Sequence, residues 1–172
     1  MPYLRAVRKS KWYKHAGTQW LQPNDIQADA LVDLHTENNQ LSVWYVDSNA
    51  ANIQRIVTAL AAQRQYIANC DYVLIEEADI VDCGIRAERE PGLTPDEAAN
   101  GWHLELVELT LQKLVSLARA IHDKGHTTRV SEKAIMKLLA LALARGQLDR
   151  NRVGLSADQL AKIDSEVARL GS

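Results

Sequence analysis

Apolar residues recur along this chain with two different periods, and each period predicts a different kind of element. At the start, Tyr3, Arg5 and Val7 alternate with Leu4, Ala6 and Arg8. Such alternation predicts a strand, and its cations predict a place near a sheet edge. The stretch LQPNDIQADALVDLH predicts a helix capped by Asn24 or Asp25, with Ile26, Ala30, Leu31 and Leu34 on one face. TENNQ is turn chemistry, and LSVWYVD predicts a second strand from its β-branched and aromatic content. Residues 49–68 predict a helix capped by Asp47, Ser48 or Asn49, with Ile53, Ile56, Leu60 and Ile67 along one side. YVLIEE follows as a short buried strand, and residues 80–92 are irregular or hold one more.

The second half predicts helices. Thr94, Pro95 and Glu97 form a helix start with a capping box. Leu104, Val107, Leu111, Leu114, Ala118 and Ile121 then recur three or four residues apart, a seam for helix packing. Asn100-Gly101 divides this stretch into a short and a long helix, and Gly125 ends it with a left-handed cap. A helix after Ser131, AIMKLLALALA, is apolar on most sides and is expected at the centre of its layer. A last helix opens on Ser156 and Gln159 and carries Leu160, Ile163, Val167 and Leu170. The expected class is α+β. A small sheet of three to four strands occupies the N-terminal half, and the C-terminal half is rich in helix. One domain over residues 1–172 is expected; a subdivision, if present, separates 1–85 from 94–172.

Composition changes this picture little. The chain has 172 residues, 47% hydrophobic and 24% charged, ordinary for a globular protein able to bury a core without staples. Phe is absent, so Trp12, Trp20, Trp44, Trp102 and the tyrosines supply the aromatic volume. Cys70 and Cys83 form no CxxC motif and read as two reduced thiols. With no leader-like apolar segment at the start, and no apolar run near the ~20 residues of a membrane span, a cytoplasmic protein is expected.

Charge is uneven. Arg5, Arg8, Lys9, Lys11 and Lys14 lie in the first twenty residues with no acid among them, whereas the whole chain is at −2. Such asymmetry is expected of an interaction segment, or of one exposed strand whose partner face is acidic. Arg8, Lys9, Lys11 and Lys14 could contact phosphates while Trp12, Tyr13 or Trp20 stacks on a base. The densest acid cluster, Glu76, Glu77, Asp79 and Asp82, follows a short apolar strand, where magnesium-dependent nucleases place carboxylates. A second acidic element is not indicated, and a solvated turn after a strand is the expected reading of the cluster. These acids could also answer the basic segment within the protein.

Other candidate chemistry is weak. His122 and His126 have helical metal-pair spacing, but Gly125 lies between them and the Glu that metalloproteases use is missing. On the expected helix His103 and Glu105 point about 200° apart and cannot act on one substrate atom. His35 to Asn39 is a polar turn, and no GxxxxGK(S/T), GxGxxG or GxSxG occurs. No catalytic residue, metal or cofactor is assigned.

The leading expectation is a non-enzymatic cytoplasmic protein, a subunit or regulator of a larger, bacterial assembly. It should bind another protein or itself through an apolar helix face of several hundred Å2. The second reading is a nucleic-acid-binding module using the basic aromatic segment. The third is a metal-dependent hydrolase or nuclease using the acid cluster.

Overall fold

A six-stranded sheet forms the middle layer of the molecule. The structure, a computed structural model, describes residues 1–14, 17–22, 25–47, 50–124 and 126–170. The strands are β1 (Pro2–Val7), β2 (Leu41–Tyr45), β3 (Cys70–Glu76), β4 (Arg86–Arg89), β5 (His103–Val107) and β6 (Thr128–Val130). Their order is β4-β5-β2-β1-β3-β6, and every neighbouring pair is antiparallel. The class is therefore α+β, as the sequence predicts, but the sheet is larger than three to four strands. It draws β5 and β6 from the part expected to be helical, while β4 falls within residues 80–92, where the sequence allows one more strand.

β1 is central rather than at an edge. It pairs with β3 along its whole length, from Pro2 opposite Glu76 to Val7 opposite Asp71. Its strand ends at Val7, and the cationic residues beyond it form a short helix, α1 (Lys9–Tyr13). The sheet edges are instead β4, which is short and charged, and the three-residue β6. Short, charged edges resist pairing with foreign strands.

Helices cover both faces. One core cluster holds Tyr3, Val7, Trp12, Val43, Ile75, Leu106 and Leu117. It lies under α1, a 3-10 segment (Ala28–Leu34), α3 (Glu77–Asp82) and α5 (Leu111–Lys124). The other cluster holds Leu4, Trp44, Ile56, Ile135, Leu139 and Ile163. Over it pack α2 (Ile53–Ala62), α6 (Glu132–Ala144) and α7 (Ala157–Leu170). α6 touches both α2 and α7, which accounts for its apolar character on several sides.

Several expected boundaries shift for identifiable reasons. The helix expected after Asp25 is a 3-10 segment opening at Ala28. The one expected over 49–68 spans Ile53–Ala62, so Ile67 is buried from a loop. Thr94 does not cap a long helix. Asp96 accepts from the backbone N–H groups of Ala98 and Ala99 and starts only one turn, α4 (Glu97–Asn100). A bidentate bond from Arg55, at 2.6 and 2.9 Å, ties this Asp96 to α2. Gln159 accepts from the N–H of Ile67 at 3.3 Å, so its side chain joins α7 to the loop after α2. The caps expected at Asn24, Ser48, Asn49 and Gly125 lie outside the described residues. Among the described residues no helix is long and apolar enough to cross a membrane.

Candidate interaction surface

The basic segment folds back onto acids of its own chain. Asp33, in the 3-10 segment, accepts from the Arg8 backbone N–H at 2.7 Å and from Arg8 Nε at 2.8 Å. The same carboxylate accepts the indole N–H of Trp12 at 3.0 Å. Lys11 pairs with Asp29 at 2.8 Å, and the backbone N–H of Lys9 donates to Asp71 at 3.0 Å. Asp71 also takes a bidentate contact from Arg129 on β6, at 2.7 and 2.9 Å. That Arg129 hydrogen bond is the main cause holding the Asp71 carboxyl below its ordinary range, with burial acting in the opposite direction.

The two tryptophans of this segment separate its roles. Trp12 is 1% exposed and belongs to the core. Tyr13 is half-buried, stacks on His122 at 6.1 Å, and its burial pushes the phenol pKa up. Trp20 is 65% exposed, and Lys14 is exposed as well.

Trp20 marks an apolar groove of about 500 Å3. Leu21, Ile26 and Leu31 line it from one side; Val115 and Ala118 of α5 line the other. Asp25 and Arg119 supply its charges, one of each sign. The inward face of α5 carries Leu117, Ala118 and Ile121. Leu111 and Val115, four residues apart on the outer side, are 65% and 42% exposed. Leu111 was expected in the packing seam, and the structure places it outside.

The acid cluster is divided among structural contacts. Glu76 and Asp79 form a reciprocal capping box at the start of α3. Asp79 also pairs with Lys124 of α5, the N–H of Glu77 donates to the Met1 carbonyl, and Asp82 is exposed. The basic segment is thus answered by Asp29, Asp33 and Asp71 rather than by this cluster. Among the described residues no group of three His, Cys, Asp or Glu is placed to hold one ion.

His103 and Glu105 correct the sequence reading. They lie on β5, where residues two apart share a face, and His103 Nε2 is 3.2 Å from Glu105 Oε1. His103 Nδ1 lies 2.7 Å from the Glu90 carbonyl, an acceptor, and so must donate to it. Ser42 of β2 donates to Glu105 at 2.7 Å. The carboxylate sits between serine and imidazole, so the hydroxyl meets Glu105 rather than the ring, unlike the serine–histidine order of a nucleophilic triad. The trio is a set of polar contacts across β2 and β5. Trp44 packs on His103 at 4.9 Å, its indole nitrogen buried without a hydrogen-bond partner. His122 contacts Asp123 at 3.4 Å, and His126 lies on the segment leading to β6, beyond the end of α5.

Comparison with protein-family models, curated proteins and solved structures finds no match. The residues themselves therefore carry the functional argument. Sequence reasoning found Trp20 but not its groove partners on α5. The only available signal was a stripe on α5 wider than one packing face needs.

Proposed function

We propose that this protein is a non-enzymatic cytoplasmic interaction subunit that self-associates through the groove between the 3-10 segment and α5. The observation that carries this reading is that Trp20, Leu31 and Val115, all exposed, line one groove, with exposed Leu111 one turn before Val115 on α5. Scattered apolar side chains are normal on a surface, whereas a contiguous apolar patch is characteristic of an interface.

The occupant we assign is a second copy of the chain. A two-fold contact must be self-complementary. A groove bordered by one anion, Asp25, and one cation, Arg119, meets that condition, because each can face the other's counterpart across the axis. A partner of strong single charge would leave one of them unanswered. Free Cys70 and Cys83 are consistent with a reducing compartment. Light scattering of the full chain, compared with a variant carrying charges at Leu111 and Val115, tests the reading.

A further inference from the structure

Beside Arg5 the centre of the sheet opens. The β1–β2 ladder pairs Tyr3 with Tyr45 and Leu4 with Trp44, and continues no further towards Val7. Arg5 connects the elements there instead. Its Nη1 donates to the Ser42 carbonyl at 2.8 Å, and its Nε and Nη2 donate to the Asp33 carbonyl at 3.1 and 2.7 Å. Two of its five N–H groups are left over. Burial pushes the Arg5 pKa down, opposed by the charges of Asp33 and Glu105.

Arg5 borders two hollows of opposite character. One, of about 350 Å3, sets Arg5 against the carboxylates of Glu37 and Glu105. The other, of about 220 Å3, is formed by Arg5, Val7, Arg8, Val32, Asp33 and Arg64. Three arginines line it, and Asp33 is the one acid among its residues. Both oxygens of that carboxylate are already engaged by Arg8 and Trp12. Arg64 donates to the Asn69 carbonyl at 2.9 Å and to Cys70 Sγ at 3.3 Å, both neutral acceptors. Neither Arg5 nor Arg64 donates to a carboxylate in these contacts, so the hollow holds cationic donors with capacity to spare. Arginine forks match oxyanions by paired N–H···O bonds.

We propose that the hollow between Arg5, Arg8 and Arg64 binds a phosphoryl oxyanion. The three arginines come from β1, from the residue after it, and from the turn after α2. That arrangement fits a tetrahedral group with several equivalent oxygens better than a planar carboxylate with two. The hollow open between Glu37 and Glu105 does not suit an anion, since its carboxylates outnumber its one guanidinium. The same phosphoryl chemistry is available from free phosphate or from a nucleic-acid backbone, and the two sources are separable by experiment.

The test is calorimetric titration of the full chain with inorganic phosphate at low ionic strength, with a second arm using a short single-stranded oligonucleotide. Saturable phosphate binding is expected. Arg64→Gln or Arg8→Gln should weaken it by roughly tenfold or more, as loss of a charge-assisted fork does. Arg8→Gln also leaves Asp33 without its cation, next to the anion. Lys14→Gln should leave binding unchanged, and circular dichroism confirms that each variant is folded. An oligonucleotide that displaces phosphate and binds more tightly makes nucleic acid the source; one that binds no better makes it free phosphate. Absence of saturable phosphate binding, or binding that survives both arginine substitutions, overturns the proposal.

Discussion

Asp33 accepts the indole N–H of Trp12 at 3.0 Å, and this one carboxylate also holds the main chain at Arg8. It thereby fixes the turn from β1 into α1 and seats a fully buried Trp. Asp33→Leu should strand the Trp12 N–H and the Arg8 N–H together. Each buried unsatisfied donor costs about 1–3 kcal/mol, so denaturant unfolding should show a loss at the upper end of that range or above. Tryptophan fluorescence should report a more solvated Trp12. By contrast Lys11→Ala, which removes a surface pair with Asp29, should cost no more than about 1 kcal/mol. Equal losses in the two variants would contradict the structural role given to Asp33.

Arg129 and Asp71 predict a pH dependence. The Asp71 carboxyl is held below its ordinary value of 3.8, chiefly by the Arg129 hydrogen bond. A depressed carboxyl pKa contributes stability that is fully present above the unfolded value. It is lost as pH falls from there through the lower folded value. Wild-type protein should therefore be more stable than Asp71→Asn at neutral pH, and the difference should shrink as pH falls below about 3.8, the ordinary Asp value. Thermal melts of both proteins across pH 2–7 check this. A difference independent of pH would contradict it.

The network of Ser42, Glu105 and His103 predicts a contrast between two substitutions. Glu105→Gln keeps an acceptor for Ser42 and offers an amide donor to His103 Nε2, so the loss should stay near 1 kcal/mol. Glu105→Leu leaves both partners unsatisfied on the half-buried face of β5 and should cost about 1–3 kcal/mol. Chemical denaturation separates the two. The ordering reversed would show that the contacts do not form.

How far the chain could be read from its sequence depended on local pattern. β1 was legible from its alternation, β2 and β3 from β-branched and aromatic content, and α6 and α7 from long apolar stripes. β5 was not, because Leu104 and Val107 happen to extend the three-and-four spacing that truly begins in α5. The break between them is Glu108, a non-glycine residue at φ 55, and nothing in its side chain announces that conformation. Reading β5 as helix then separated His103 from Glu105, which a strand brings together. β4 was legible only as strand or irregular chain because it is mostly charged, and β6 escaped notice because it is three residues long. Trp20 and the basic segment were visible as candidates. Their partners, Asp33 for Arg8 and α5 for the groove, come from distant parts of the chain, as does Arg64 beside Arg5. No spacing rule joins them.

The central claim is that exposed Leu111 and Val115 belong to a self-association face, and light scattering with size separation tests it most directly. The full chain should run as a dimer at high micromolar concentration and shift towards monomer on dilution. Leu111→Glu with Val115→Glu should give a monomer throughout with nearly unchanged melting temperature, because exposed positions contribute little to the fold. A chain that is monomeric at every concentration, or a dimer indifferent to both substitutions, would contradict the account.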